Sequence, residues 1–289
     1  MENVLAVIGG SGLYSVDDMT DIQEVHVDTP YGAPSDAVIC GRLRESGAPM
    51  MFLPRHGRGH RLSPTEINYR ANICALKKLG ATHVLSVSAV GSMKEEIAPG
   101  DLVVVDQFID LTKHRVSTFF EGGIVGHVGF ADPVCGIMAA ATYEMAKLTG
   151  ARAHKGGTYV CMEGPQFSTR AESLVYRSWG VSVIGMTNMP EAKLAREAEL
   201  PYATLALSTD YDCWHSSEEA VTVDMVVATL TKNVRFAREV AKRLAANLPD
   251  VSRSIAKGAL QNAVMTAPEK IPHDARERLA WLLGPAKSS

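Results

Sequence analysis

Near its N-terminus the chain reads Val4-Leu5-Ala6-Val7-Ile8-Gly9-Gly10-Ser11-Gly12, a short apolar run that ends in small residues. Similar runs recur along the sequence, each with the length and composition typical of a buried β-strand. They cover residues 4–8, 37–39, 51–53, 83–87, 102–105, 181–184 and 202–207. Helical patterns alternate with these runs. This alternation predicts an α/β fold with a central mixed β-sheet flanked by helices.

Three helices have clear signals. The first is expected to begin at Ser63-Pro64-Thr65-Glu66, where Ser63 can cap, Pro64 suits the first helical position and Glu66 can complete a capping box. Gly80 should end it. A second helix is expected from about Pro190, and a third, with apolar residues at helical spacing, over residues 222–246.

Composition and charge narrow the class of protein. The 289 residues are 46% hydrophobic and 21% charged, which is ordinary for a globular chain and enough for a single domain over residues 1–289. The segment 247–289 is less periodic and is expected to be a C-terminal appendage with one short helix at 275–283. The net charge is −3 and no long basic run is present, which argues against a nucleic-acid partner.

Cysteine usage and hydropathy indicate the compartment. The five cysteines are an odd number and are scattered, so neither a disulfide framework nor a zinc cluster is expected. The chain has no signal-peptide pattern and no apolar run near the roughly 20 residues of a membrane span. We therefore expect reduced cysteines, a cytoplasmic location and no membrane partner.

Three strand ends carry groups suited to an anion. Gly9-Gly10-Ser11-Gly12 follows the first strand, Arg55-His56-Gly57 follows the third, and Ser86-Val87-Ser88 belongs to the fourth. Small residues admit backbone N–H groups, arginine offers a planar fork, and hydroxyls add donors. Each motif alone also fits a tight turn or a solvated basic turn. Together they predict one site for a tetrahedral oxyanion.

A carboxylate pair follows the strand at 202–207. If Asp210-Tyr211-Asp212 is extended, both aspartates face one side while Tyr211 faces the other. Two carboxylates at short range raise one pKa, which leaves one proton to donate and one anion to accept. That combination suits adenine, with N7 accepting and the exocyclic amine donating. Metal binding is the rival interpretation, but no third ligand stands at suitable spacing.

Segments spread over residues 4–246 resemble a known family. They include Ile8-Gly9-Gly10-Ser11-Gly12-Leu13, Pro54-Arg55-His56-Gly57, Glu163-Gly164-Pro165-Gln166-Phe167-Ser168, Met186-Thr187-Asn188-Met189-Pro190-Glu191 and Thr209-Asp210-Tyr211-Asp212-Cys213-Trp214. These segments are similar to the S-methyl-5'-thioadenosine phosphorylases of the trimeric purine nucleoside phosphorylase superfamily. The resemblance implies a homotrimeric pentosyltransferase of purine and methionine salvage, with inorganic phosphate as co-substrate and no metal or organic cofactor.

The resemblance also implies a role for individual residues. Asp210 is expected to be the acid that protonates the leaving purine and Asp212 its hydrogen-bonding partner, or the reverse. The phosphate set is Ser11, Arg55, His56, Ser88, Ala89 and Thr187. The substrate set is Met186, Asp210, Tyr211, Asp212, Phe167, His127 and Val226, with Ser168 and Val223 in the specificity region. His127 would come from a neighbouring subunit, and an apolar wall of Val223 and Val226 would favour a thioether over a 5'-hydroxyl.

Two positions depart from the family pattern. Gly185 stands where better-known adenosine-type members have Asn, and Asn188 stands where they have Thr. The missing amide removes a contact to the purine or to water, which bears on base selection. Two alternatives to methylthioadenosine phosphorolysis follow: a phosphorylase for 6-oxopurine nucleosides such as methylthioinosine or inosine, and a purine-nucleoside binding protein without catalysis.

Overall fold

The computed structural model describes residues 2–13, 18–215 and 223–284. Its centre is a mixed sheet in which eight strands follow the order β2-β3-β4-β1-β5-β10-β9-β7, and β11, β6 and β8 extend it from β5. The strands are β1 Leu5–Gly9, β2 Met19–Val25, β3 Val38–Leu43, β4 Pro49–Pro54, β5 His83–Ser92, β6 Leu102–Val105, β7 Gln107–Asp110, β8 Ala153–Lys155, β9 Thr158–Cys161, β10 Val183–Gly185 and β11 Tyr202–Asp210.

Six helices accompany the sheet. They are α1 Tyr69–Lys78, α2 Gly136–Lys147, α3 Arg170–Ser178, α4 Asn188–Glu197, α5 Val223–Ala246 and α6 His273–Leu283. The predicted α/β class with a central mixed sheet is confirmed. Among the described residues, no helix is long and apolar enough to cross a membrane.

The two faces of the sheet carry two apolar cores, as β1 shows by strict alternation. Ala6 and Ile8 belong to the core that includes buried residues of α1, α4 and α6. Leu5 and Val7 belong to the opposite core, which includes buried residues of α2 and α5. Because successive side chains of a strand point to opposite faces, a strand that is buried throughout must supply both cores.

The expected helix bounds are partly correct. The third prediction, residues 222–246, matches α5. The first prediction is wrong at its start, because α1 begins at Tyr69 with Asn68 as its N-cap, whose side chain accepts from the Ala71 backbone N–H. Ser63 and Glu66 instead close a separate turn, in which the Glu66 carboxylate accepts from the Ser63 backbone N–H at 2.9 Å.

The C-terminal segment packs on the rest of the chain. Ala275 and Leu279 of α6 are fully buried in the same core as α1 and α4. Trp281 makes edge contacts with Tyr31 and Phe119, with ring centroids 6.3 and 5.1 Å apart. The helix expected at 275–283 is present and begins two residues earlier. This segment therefore contributes to the core as well as extending it.

Candidate active site

The candidate site lies where several strands end together. β5 pairs in parallel with β1 and with β11, and β1 pairs in parallel with β4. The carboxyl ends of parallel strands meet at one edge of a sheet, which is where open α/β sheets present their ligands. The predicted motifs after β1, after β4 and within β5, and the carboxylates of β11, therefore share this edge.

Two predicted phosphate ligands are in direct contact. Ser88 Oγ of β5 lies 3.2 Å from Thr187 Oγ1, which follows β10, although 99 residues separate them in the sequence. Ser88 Oγ also lies 3.3 Å from the carbonyl oxygen of Ala89. Both hydroxyl side chains are almost fully buried. The structure thus brings Ser88, Ala89 and Thr187 together.

The guanidinium group of Arg55, another predicted phosphate ligand, already bonds other protein groups. Its Nε and Nη2 bond the two carboxylate oxygens of Glu191 at 2.8 and 3.1 Å, and Nη2 also bonds Ser86 Oγ at 2.6 Å. Its Nη1 donates to the Val87 carbonyl oxygen at 2.9 Å. Burial alone would lower the pKa of Arg55, but the ion pair with Glu191 raises it above its usual value.

This geometry changes the expected role of Arg55. The planar fork that we expected to hold two phosphate oxygens holds the Glu191 carboxylate instead. Nη1 donates one of its two hydrogens to the Val87 carbonyl oxygen. Arg55 therefore anchors the strand ends.

His56 has a defined tautomer. Its Nδ1 lies 2.8 Å from the Leu62 carbonyl oxygen, which can only accept, so Nδ1 carries a proton. The ring stacks on His60, with centroids 4.1 Å apart. Burial lowers the pKa of His56 to about 4, and the nearby Arg55 charge acts in the same direction. At neutral pH the ring of the unliganded protein is neutral, and Nε2 is its acceptor.

The two predicted carboxylates are close together, but not for the expected reason. Asp210 ends β11 just after a bulge, and Asp212 begins a short 3-10 turn with a positive φ of 52°. The segment is therefore not extended through Asp212. The turn itself joins the pair, because the Asp212 backbone N–H donates to Asp210 Oδ1 at 2.8 Å.

Neighbouring hydroxyl groups donate to both carboxylates. Thr209 Oγ1 lies 2.6 Å from Asp210 Oδ2 and 3.1 Å from the Val90 carbonyl oxygen, so its single hydrogen is shared between these two acceptors. Ser173 Oγ donates to Asp212 Oδ2 at 2.5 Å. Burial raises the pKa of Asp212 above its usual value, so Asp212 keeps a proton to a higher pH than an exposed aspartate does.

Other predicted residues surround this edge. Met186 follows β10, and its carbonyl oxygen accepts from Arg115 Nη1 at 2.6 Å. Phe167 is about half exposed, and Ser168 Oγ contacts Met162 Sδ at 3.3 Å. Tyr211 stacks on His215 and donates to the Glu95 carbonyl oxygen at 3.2 Å.

The side chains of three predicted residues, Ser11, Val223 and Val226, lie outside the part of the chain that the structure describes. The backbone of Ser11 lies in a 3-10 turn after β1, and that of the two valines lies in α5. His127 is exposed, and its backbone N–H donates to the Ala263 carbonyl oxygen at 2.9 Å. An isolated bridge between Gly126 and Val264 holds the same segment.

Sequence reasoning missed a buried arginine that ties the site together. Arg115 donates to the carbonyl oxygens of Met186, Met189 and Glu163, each at 2.6 Å. Its side chain is almost fully buried. Nε also lies 3.5 Å from Glu163 Oε1, and Nη1 also bonds Tyr69 Oη at 3.2 Å. The backbone-carbonyl partners leave no mark in the pattern of side chains. The signal that was available is the residue type, because a buried arginine is rare unless it is paired.

A buried polar network lies beneath the anion ligands. Asn188 Nδ2 donates to Tyr202 Oη at 2.6 Å and to Thr204 Oγ1 at 2.7 Å. Tyr202 Oη in turn donates to Glu191 Oε1 at 2.9 Å. Asn188 thus supports the carboxylate that holds Arg55. Within residues 2–13, 18–215 and 223–284, no three His, Cys, Asp or Glu side chains are grouped closely enough to hold a metal ion.

This fold, with a hydroxyl pair and a carboxylate pair toward one end of the sheet, is that of an α/β protein with several hydrogen-bonding groups at its strand ends. Residues 4–246 match the model of the phosphorylase superfamily. The chain is 54% identical over 285 residues to S-methyl-5'-thioadenosine phosphorylase of Geobacter sulfurreducens, covering 98% of this chain and 99% of the relative. The chain belongs to the phosphorylase superfamily and, within it, to the S-methyl-5'-thioadenosine phosphorylases.

Two solved structures support the same family assignment. A methylthioadenosine phosphorylase from an Antarctic soil metagenomic library superposes with a TM-score of 0.91 at 49% identity, covering 98% of this chain and 99% of that one. Methylthioadenosine phosphorylase from Schistosoma mansoni in complex with adenine superposes with a TM-score of 0.85 at 36% identity, covering 91% of this chain and 99% of that one.

Proposed function

We propose that this protein cleaves the N-glycosidic bond of S-methyl-5'-thioadenosine with inorganic phosphate, giving adenine and 5-methylthioribose 1-phosphate. The observation that carries the proposal is that the Ser88–Thr187 hydroxyl pair and the Asp210–Asp212 pair lie toward the same end of the sheet, with Ser88 opposite Ala206 and Gly91 opposite Asp210 of β11. The relatives over almost the whole chain bear the same activity in their names. Phosphate is a co-substrate, and no metal or organic cofactor takes part.

The proposed mechanism divides the work between the two pairs. As the glycosidic bond breaks, positive charge builds on the ribosyl group and negative charge on the purine. Asp210 donates a proton to N7 and Asp212 accepts from the exocyclic amine, or the two carboxylates exchange these roles. Phosphate on the opposite face is held by Ser88, Ala89 and Thr187. Its shell is completed by one N–H of Arg55, by Ser11, and by His56 Nε2, which accepts from a protonated phosphate oxygen. The phosphate attacks C1' with inversion.

The remaining assignments complete a nucleoside site. Met186 lies beneath the ribose, Phe167 and Tyr211 border the base, and Ser168 belongs to the specificity region. Val223 and Val226 form the apolar wall around the 5'-thioether. His127 closes this wall from a neighbouring subunit, which requires a homotrimer. The free cysteines of the described chain fit a cytoplasmic enzyme of purine and methionine salvage.

Product analysis tests this proposal. Methylthioadenosine, methylthioinosine, adenosine and inosine are each incubated with the protein, with and without phosphate, and with and without EDTA. We expect adenine to form fastest from methylthioadenosine, only with phosphate, and equally with EDTA. Preferred cleavage of the 6-oxopurines would establish the first alternative, and absence of any product with intact nucleoside binding would establish a binding protein.

A further inference from the structure

Tyr159 reaches across the sheet to the anion ligands. It lies on β9, opposite Val183 of β10. Its hydroxyl nevertheless contacts Ser88 Oγ, on β5, at 3.2 Å. β10 runs between β9 and β5, so the tyrosine side chain has to pass the end of β10 to make this contact. Tyr159 is fully buried.

Gly185 makes this path available. A Cβ atom built at Gly185 would overlap the Tyr159 hydroxyl oxygen and would lie 2.6 Å from Tyr159 Cζ. The backbone of Gly185 does not have a positive φ, so the glycine is needed for space and not for conformation. The hydroxyl of Tyr159 therefore occupies the volume that any side chain at position 185 would enter.

The direction of the hydrogen bonds gives this hydroxyl a role. Tyr159 Oη has one proton and lies 3.2 Å from Ser88 Oγ. Burial raises the pKa of Tyr159, so the proton is retained. If Tyr159 donates to Ser88 Oγ, the single hydrogen of Ser88 remains available to Thr187 or to an anion. Without this donor, Ser88 Oγ accepts from Thr187 instead, and the Thr187 hydrogen is no longer available to an anion.

We propose that Tyr159, admitted by Gly185, is a positioning residue that directs the Ser88 and Thr187 hydroxyls toward phosphate. It acts through these two residues and does not itself contact the nucleoside. The inference rests on the proposed function, since it names how that site binds its anion. The buried hydroxyl is a neutral donor, so its loss should weaken the phosphate interaction by about three- to tenfold.

Steady-state kinetics of Tyr159→Phe test this role, because phenylalanine keeps the ring and removes only the hydroxyl. We expect KM for phosphate to rise about three- to tenfold, with KM for methylthioadenosine changed less than twofold. The control is Tyr143→Phe on α2, whose ring contacts Lys147 and Lys155. A phosphate KM that rises less than threefold, or a nucleoside KM that rises as much, overturns the proposal.

Thermal unfolding gives a second test of the role of Tyr159. In the absence of nucleoside, inorganic phosphate should raise the thermal midpoint less in Tyr159→Phe than in Tyr143→Phe. Equal shifts would also refute the role of Tyr159. This readout needs no turnover, whereas failure of the wild-type protein to cleave methylthioadenosine would refute the proposed function alone.

A double variant tests the packing of Gly185 against Tyr159. Gly185→Ala should lower the thermal midpoint, and adding Tyr159→Val should restore it if the two residues compete for one volume.

Discussion

The ionised form of Asp212 lowers the free energy of unfolding at neutral pH. Because burial raises its pKa, the folded protein binds this proton more readily than the unfolded chain does. The associated stability is present below the unfolded pKa of about 4 and is lost as pH rises through the folded value. A neutral side chain at this position should therefore favour folding at neutral pH, while removing the anion that accepts from adenine.

We predict that Asp212→Asn raises the thermal midpoint at pH 7.5 and lowers turnover of methylthioadenosine. The Ser173 hydroxyl can still donate to the amide oxygen.

We predict that Asp210→Asn lowers turnover by a factor of about 10²–10⁴, because it removes the general acid. Both variants should retain phosphate binding by calorimetry, since its proposed ligands lie on other strand ends. Near-normal turnover of Asp210→Asn would show that the pair is structural.

His56 should make the fold sensitive to acid. Its pKa falls to about 4 in the folded protein because the ring is buried. Between about pH 6.5 and 4 the unfolded chain binds this proton and the folded protein does not, so the free energy of unfolding decreases as pH falls. Above about pH 6.5 the residue has no such effect.

We predict that His56→Asn weakens the pH dependence of the free energy of unfolding between pH 6.5 and 4. Asparagine keeps a donor for the Leu62 carbonyl oxygen but cannot titrate. Urea unfolding in phosphate-free buffers measures the change, and His26→Asn at an exposed position after β2 is the control. If both variants keep the wild-type slope, burial of His56 does not drive acid sensitivity.

At the scale of elements, the end of β5 sets the position of the carboxylates. A Cβ atom at Gly91 would lie 3.0 Å from Asp210 Oδ1 and 3.2 Å from Asp212 Cβ. Gly91 pairs with Asp210 across the β5–β11 ladder, so the strand passes directly beside the proposed general acid. The added methyl group would also lie 3.1 Å from Ile184 Cγ2, so one or more of these three neighbours has to shift by a few tenths of an ångström.

We predict that Gly91→Ala lowers turnover by about 10- to 100-fold, because small displacements of catalytic groups are costly. The control is Gly136→Ala at the start of α2, where an added Cβ meets no atom within 4 Å. Turnover and thermal unfolding are measured on both variants. Unchanged turnover of Gly91→Ala would mean that the carboxylates do not need their present position.

Local patterns predicted the elements unevenly. α5 has a sustained apolar period over Val223–Ala246, and its bounds were predicted within one residue. The start of α1 was wrong because two segments carry capping signals. Asn68 is also tied to the Tyr31 carbonyl oxygen at 2.7 Å, a contact 37 residues away that favours it over Ser63. Strands β2, β7, β8 and β9 were missed, since none has a long apolar run.

The residues of the candidate site were also predicted unevenly. Hydroxyls at strand ends were predictable, because parallel strands deliver their carboxyl ends to one edge. The ion pair of Arg55 with Glu191 joins residues 136 positions apart, and no local rule indicates it. The meeting of Asp210 with Asp212 was predicted from an extended segment, yet it depends on a turn with positive φ at Asp212. The residues were therefore easier to predict than their partners.

At the scale of the whole molecule, the surface near His127 suggests a partner subunit. Val125 and Met265 are 49% and 67% exposed, and the Met265 backbone N–H donates to the Val125 carbonyl oxygen at 2.8 Å. The paired segments that carry these exposed apolar side chains also carry His127. Apolar side chains grouped on a surface are typical of protein contacts. This arrangement supports the proposed trimer, in which each nucleoside site borrows His127 from its neighbour.

Subunit mixing tests this composite site. Sedimentation should give three times the chain mass of 31.1 kDa. We predict that His127→Ala and Asp210→Asn each lower turnover as pure trimers, and that activity rises when the two are mixed after mild dissociation. In mixed trimers, some sites combine an intact Asp210 with a neighbour's intact His127. Random exchange creates such sites at about one quarter of all positions in a cyclic trimer.

The control for mixing replaces one partner with the double variant His127→Ala, Asp210→Asn. This chain supplies neither group, so mixing it with Asp210→Asn should restore nothing. Activity that rises only in the first mixture requires that Asp210 and His127 act across a subunit boundary, because no single chain in that mixture holds both. A mixture that stays at the mean of its components, in trimers shown to exchange, would place His127 outside the site.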